Sequence, residues 1–280
     1  MSTVFVSDLD GTLLQPDGTM SSTTEGIVRD VLAAGVLFTV ASARSLFSMR
    51  AILGDLPIVL PALSFNGGYI SDYHTGTHIK VCGVPSDDVS TIRQCLDAHH
   101  LTPFVSTFAA ESDHLYVGTE RSPAMQWFYE ERRRENDTRL KVLENIEDAY
   151  AESVTCISVM GSRQHLSRLE HDLLKQLGSR VQIHLFENLY ARGTYWLTIH
   201  PQEATKAQGL QYMLAHAGLT GAKLVVFGDH MNDFEMFQMA DEGLAVENAE
   251  PALKKVASTV IGPNHNDSVA NELRRRCLNG

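Results

Sequence analysis

Cysteine is scarce in this chain of 280 residues: Cys82, Cys95, Cys156 and Cys277 lie far apart and form no C-x-x-C pair. That spacing excludes a disulfide framework and a zinc-finger pattern, and the thiols read as reduced. Basic residues are also short, 23 Lys and Arg against 34 Asp and Glu, for a formal charge of -11. Surfaces that hold nucleic acid or an anionic membrane need the opposite balance, so a small molecule is the expected partner. Long apolar runs are missing too. The longest stretch, Val31 to Ala43, is interrupted by Thr39 and Ser42 and is too short for a hydrocarbon core of roughly 30 Å. Asp8 arrives before any signal-peptide apolar region has room to form, and the chain reads as cytoplasmic. No internal repeat or low-complexity tract is present.

What the sequence does have is an ordinary apolar share of 44% and enough length for two domains, so a real core is expected. Strand-like and helix-like patterns alternate, which favours a mostly parallel sheet with helices on its faces. Ser21 to Ala34 carries Ile27, Val28, Val31 and Leu32 at amphipathic spacing. Val36 to Ala41 then reads as a strand delivering Ser42-Ala43-Arg44, and Ala62 to Phe65 as one that stops at Asn66-Gly67-Gly68. From about Gly83 the character changes. Helices near Ser86 to His99, Pro123 to Asn136 and Arg163 to Leu177 mix with strands such as Thr155 to Val159 and Val181 to Phe186, the pattern of an α+β insertion. A helix over Lys206 to Ala217 and an apolar strand over Lys223 to Phe227 follow. The expected fold class is α/β: a Rossmann-like parallel-sheet core, residues 1–82 and 191–280, interrupted by an inserted α+β cap domain, residues 83–190.

The chemistry concentrates at strand ends. Thr3-Val4-Phe5-Val6-Ser7 leads into Asp8-Leu9-Asp10-Gly11, and side chains two apart on extended chain share a side. Asp8 and Asp10 are therefore expected to face one small volume. The strand Lys223 to Phe227 ends likewise, in Gly228-Asp229-His230-Met231-Asn232-Asp233. In an open α/β sheet such ends line one crevice. Carboxylates converging there repel unless they share a hard cation, and Mg²⁺ takes oxygen ligands. Lys206 opens a helix and offers fixed positive charge, and Ser42 a hydroxyl. These are the parts needed to move a phosphoryl group.

Taken in order, the motifs resemble those of haloacid dehalogenase superfamily phosphatases, specifically the Cof-type group with a large α/β cap. Asp8-Leu9-Asp10-Gly11-Thr12 resembles the first motif, Ser42 the second, Lys206 the third and Gly228-Asp229 through Asn232-Asp233 the fourth. Asn66-Gly67-Gly68 resembles the loop before the cap, and Asn264 to Val269 a weaker tail feature. The resemblance implies that Asp8 is the nucleophile and Asp10 the acid and base. It implies that Mg²⁺ is held by Asp8, the Asp10 backbone carbonyl and Asp229, with Asp233 orienting a metal-bound water. Ser42, Lys206, Asn232 and backbone amides near Leu9 and Ala43 would hold the phosphate. The implied substrate is a small phosphorylated metabolite. A phosphotransferase such as a hexose-phosphate mutase, and a phosphoaspartate signalling module, use similar parts; receivers are about half this size and lack the insertion. Three positions depart from the pattern. Ser42-Ala43-Arg44 stands where Thr-Gly-Arg is usual, His230 and Met231 fill positions commonly small or acidic, and Ser268 replaces a glycine.

The histidines His99, His100, His114, His165, His171, His184 and His200 lack a carboxylate or thiol pattern for a metal cage, and surface roles are expected. Glu130 to Glu135 has mixed signs on a helical pattern, the mark of a solvated face. Trp127 and Phe128 are expected in the cap core.

Overall fold

The computed structural model describes residues 2–188 and 191–278. The chain divides into two compact units, one formed by Met1–Lys80 with Glu203–Gly280, the other by Val81–Gln202. The β-branched run Thr3–Ser7 is the central strand of the first unit. Lys223–Gly228 lies parallel on one side of it and Leu37–Val40 parallel on the other, and Glu242–Ala245 and Thr259–Val260 extend the sheet. A parallel bridge from Ala41 to Leu63 continues the ladder towards Ala62–Ser64. Being buried on both faces, the strands carry near-continuous apolar runs, and Val4, Val6, Phe38, Val226 and Phe227 sit in the core.

Register decides where the loops begin. Ser7 pairs with Phe227 on one side and with Val40 on the other, so Asp8, Gly228 and Ala41 leave the sheet level with one another. The chain builds outwards through Leu37–Val40 first and later returns to the opposite side of Thr3–Ser7. The topological switch, where parallel sheets open a crevice, thus falls between Asp8 and Asp229. The helix Ser22–Ala33 buries Thr24, Ile27, Val28, Val31 and Leu32 and is capped by Ser21, whose hydroxyl accepts from the Thr24 amide. It packs against Ser268–Cys277.

The second unit holds a six-stranded sheet in the order Val181–Glu187, Tyr195–Pro201, Ser153–Gly161, Phe104–Ala109, Ser112–Gly118, Leu140–Leu143, antiparallel except for the last pair. The helices Ser86–Ala98 and Arg163–Leu177 join Val105, Ile157, Val159, Leu197 and Ile199 in one apolar cluster. The helix Pro123–Arg134 joins Phe104, Leu115, Val117 and Met160 in another, which includes Trp127 and Phe128. Alternation along the strands puts these two clusters on opposite faces.

Three details differ from the sequence expectation. The expected boundary at 190 falls on residues 189 and 190, outside the described ones. The strand Tyr195–Pro201 beyond it belongs to the second unit, because Val181–Glu187 and Ser153–Gly161 bond both its edges. Its mix of aromatic, aliphatic and β-branched residues suits either sheet, so only pairing decides its home. His200 is not a surface residue: it is buried, and burial beside His184 pushes its pKa down to about 3. Arg132 is likewise buried on the supposedly solvated helix, paired with Glu131, Glu135 and Asp137. Among the described residues no helix is long and apolar enough to cross a membrane.

Candidate active site

The strand carrying Asp8 ends at Ser7, and Leu9–Leu13 forms a helical turn broken by an extended Asp10 (φ −69, ψ 124) and a left-handed Gly11 (φ 76). Period-two alternation therefore stops short of Asp10, and a turn rather than extended chain sets the direction of its carboxylate. Asp8 turns into the sheet end, 5% exposed, its amide bonded to the Phe227 carbonyl at 3.0 Å. Asp10 is half-buried, and its carboxylate receives Arg44 Nε at 2.7 Å and Nη2 at 2.6 Å, a bidentate pair.

Beside Asp8 lies Lys206, the first residue of the helix Lys206–His216. Its Nζ donates to Asp8 Oδ1 and, at 2.6 Å, to Asp233 Oδ1. Asp233 is wholly buried, and its other oxygen accepts from the amides of Asp229 (3.0 Å) and His230 (3.2 Å). That carboxylate is spent on holding the lysine and the loop. Asp229 receives Thr12 Oγ1 at 3.0 Å and lies so close to Gly11 that a Cβ there would overlap its carboxylate. The Asp8, Asp229 and Asp233 oxygens lie within 4.8 Å of one another.

With all three ionised, three carboxylates against one ammonium leave two negative charges uncompensated in a largely buried place. Burial pushes Asp8 well above the usual carboxylate range while Lys206 pulls it back. Burial and then the Asp233 charge raise Asp229 to about 6. Lys206 rises despite its own burial, because Asp233 and Asp8 favour the ammonium. The surplus equals the charge of one divalent cation, and the donors are all carboxylate oxygens, the set that hard cations prefer.

The other expected residues fall around this cluster. Ser42 is buried, and its hydroxyl accepts from the Arg44 amide at 3.1 Å. Leu9 is buried and Ala43 exposed. Asn232 donates its Nδ2 to Asn66 Oδ1 at 3.0 Å. His230 is exposed and meets Glu250 at 2.8 Å. Sequence reasoning missed Arg44 as the partner of Asp10, Thr12 as the donor to Asp229, and two asparagines that pin the Asp8 loop. Asn248 Nδ2 donates to the Gly11 carbonyl at 2.7 Å and its oxygen accepts from the Asn264 amide at 2.9 Å. Asn264 Nδ2 in turn donates to the Leu14 carbonyl at 2.8 Å. The resemblance of Asn264 to Val269 was the one signal pointing to this tail.

A parallel α/β core with its buried charges gathered at the sheet's switch point has the architecture of an enzyme. Residues 5–273 match the haloacid dehalogenase-like hydrolase family, and the chain belongs to it. It is 27% identical over 272 residues to pyridoxal phosphate phosphatase YbhA of Escherichia coli (strain K12), with 95% of this chain and 96% of that protein covered. It is 25% identical over 277 residues to the 5-amino-6-(5-phospho-D-ribitylamino)uracil phosphatase YwtE of Bacillus subtilis (strain 168), covering 94% of each. A solved haloacid dehalogenase-like hydrolase from Bacteroides thetaiotaomicron superposes with a TM-score of 0.80 at 22% identity, covering 99% of this chain and all of that one; that likeness concerns the fold. The curated relatives are phosphatases, and the chain is with them a phosphoric monoester hydrolase.

Proposed function

We propose that this enzyme is a magnesium-dependent phosphatase of the cytoplasm that hydrolyses small phosphomonoesters, such as sugar phosphates or phosphorylated cofactors, through an aspartyl phosphate on Asp8. The observation that carries the reading is the buried Asp8–Lys206–Asp233 array at the sheet end with Asp229 beside it. A carboxylate nucleophile splits a difficult hydrolysis into two displacements. Asp8 is suited to this because one oxygen is fixed by Lys206, while the other takes no hydrogen bond among the described residues. Lys206 supplies positive charge where the phosphate oxygens would lie, and Ser42, Asn232 and the amides of Leu9 and Ala43 would complete the cradle. Asp10 would protonate the leaving oxygen and then take a proton from the attacking water, as alkoxides leave poorly unaided. Its bidentate contact with Arg44 holds it beside the sheet end.

The donor set fits Mg²⁺. Asp8 and Asp229, with the Asp10 backbone carbonyl, would hold it, and Asp233 would act from behind, since its oxygens already serve Lys206 and two amides. When bound, the ion offsets phosphate charge and balances the surplus of the cluster. The inserted unit is proposed to select the leaving group. The named relatives act on dissimilar phosphorylated metabolites while sharing the phosphoryl chemistry.

The test has two parts. Purified protein is screened with Mg²⁺ against a panel of phosphomonoesters, and Asp10→Asn is followed through a single turnover of an activated ester. The variant should turn over more slowly by about 10²–10⁴-fold and accumulate phosphoenzyme, seen as a burst of one product per site and as mass added to the Asp8 peptide. A wild type that holds that phosphate for minutes, with Asp10→Asn no different, would speak for a phosphoaspartate switch instead.

A further inference from the structure

We propose that Asn66 is a positioning residue of the phosphate site, fixing the Asn232 carboxamide and tying it to the loop that carries Ser42. The proposal rests on the reading of Asn232 as a phosphate donor given above and deepens it.

The first ground is a conformational cost. Phe65, Asn66 and Gly67 follow one another with φ of 48°, 55° and 90°, three left-handed residues in a row. For Phe65 this region costs about 1–2 kcal/mol, and for asparagine, which tolerates it, less. Such strain persists only where the surroundings over-determine it, and it gathers at functional sites. Here the surroundings are the start of the lysine helix. A Cβ on Gly67 would overlap the Thr205 carbonyl, and one on Gly209 would lie 2.8 Å from the Gly67 Cα. Two glycines face to face let the loop press against the turn that presents Lys206.

The second ground is what the strained residue touches. Asn66 is 4% exposed. Its amide donates to the Ser42 carbonyl at 2.9 Å, and its side-chain oxygen accepts Asn232 Nδ2 at 3.0 Å. One residue thus joins the second strand-end loop to the fourth while leaning on the third. None of these loops is adjacent to it in sequence.

The third ground is the polarity of the contact. Phosphate oxygens only accept, so Asn232 serves a phosphate only with its NH₂ end, which has two hydrogens. An acceptor at Asn66 takes one of them and leaves the other in a fixed direction. Meanwhile Asn232 Oδ1 is buried with no hydrogen-bond partner, a cost that a merely structural carboxamide would avoid by satisfying both ends. Asparagine suits position 66 on two counts, because it tolerates the left-handed region and it brings the acceptor. Glycine would match only the first.

That difference supplies the experiment. Asn66→Gly, Asn232→Ala and the double variant are compared with wild type for kcat, KM, inhibition by inorganic phosphate and Tm. Asn66→Ala serves as a second probe of the backbone. Asn66→Gly should lower kcat and weaken phosphate inhibition by roughly tenfold, the range for coupled neighbours, with Tm held. It should add nothing in the Asn232→Ala background. Asn66→Ala should lose as much activity while also losing Tm to strain. Equal losses from Asn66→Gly in both backgrounds, or a fall in Tm with kinetics unchanged, overturn the proposal alone. A wild type that neither hydrolyses phosphomonoesters nor binds phosphate overturns the phosphatase reading together with it.

Discussion

In the parallel-sheet unit three carboxylates lean on one buried lysine, whereas in the antiparallel unit Asp137 faces Arg139 with both oxygens engaged. There, too, Glu152 collects donors from Thr107, His114 and Tyr116. These carboxylates of the second unit are met by donors on both oxygens, and burial of a well-paired ion pair such as Asp137–Arg139 is roughly neutral for stability. The first buries a mismatch, which costs free energy unless something outside the chain corrects it. Groups left uncompensated by their own fold are the ones poised to act on a ligand. The contrast separates the unit proposed to do the chemistry from the one proposed to select for it.

The sharpest way to break the contrast is at Asp8. Asp8→Asn should abolish turnover by on the order of 10⁴-fold or more, as loss of a nucleophile does, while Tm stays level or rises because one repelling charge has gone. Activity retained in a folded Asp8→Asn protein would sink the nucleophile assignment. Next comes Lys206→Met, which strands the carboxylates. Turnover should fall by about 10²–10³-fold, and stability by about 3 kcal/mol near neutral pH, less in acid where the carboxyls take up protons. Urea unfolding at two pH values checks it, and an equal loss at both would contradict the electrostatic account.

Arg139→Met is the counterpart in the other unit. Removing one partner from a buried pair costs about 3–5 kcal/mol, so the melting of this unit should shift downwards. Turnover per folded molecule of a small activated ester should not change. A specific loss of kcat would show that the two units do not divide their labour in this way.

The smallest effect concerns pH. The Asp229 carboxyl is raised to about 6 and Asp8 is raised as well, so the folded state binds protons more tightly than the unfolded chain. The stability this gives is complete below the ordinary carboxyl range and is lost as pH rises through about 6. In chelator, the Tm of the wild type relative to that of Asp229→Asn should therefore fall over that window, and added Mg²⁺ should restore more of it on the alkaline side. A chelator series in which this Tm difference climbs with pH would reverse the sign and refute the account.

Much of this was legible in the sequence, for a physical reason. Strand ends are marked by abrupt changes from apolar to acidic residues, and parallel topology brings such ends together whatever their separation in the chain. Hence Asp8, Lys206, Asp229 and Asp233 were expected in one crevice, and they converge there. What was not legible depends on single dihedrals and on pairing. The strand stops at Ser7, so the direction of Asp10 and its bidentate hold by Arg44 follow from a turn that composition does not encode. Asn248 reads as an ordinary loop residue, and the contacts of Asn66 and Asn264, noted only as parts of a loop and a tail feature, emerge when the loops are placed side by side. Tyr195–Pro201 went to the wrong unit because strand propensity does not name a partner.

The position of Thr3–Ser7 has a consequence for synthesis. One of its two neighbours, Lys223–Gly228, is made more than 200 residues after it. At 5–20 residues per second the wait is about ten to forty seconds. The six strands of the second unit lie between Phe104 and Pro201 and are complete before then. In the interval the central strand of the catalytic sheet has an open edge, the usual template for mispairing. The growing chain thus finishes its inserted unit while its parallel-sheet unit is still a fragment, and Asp8 waits for a partner strand made only after that inserted unit.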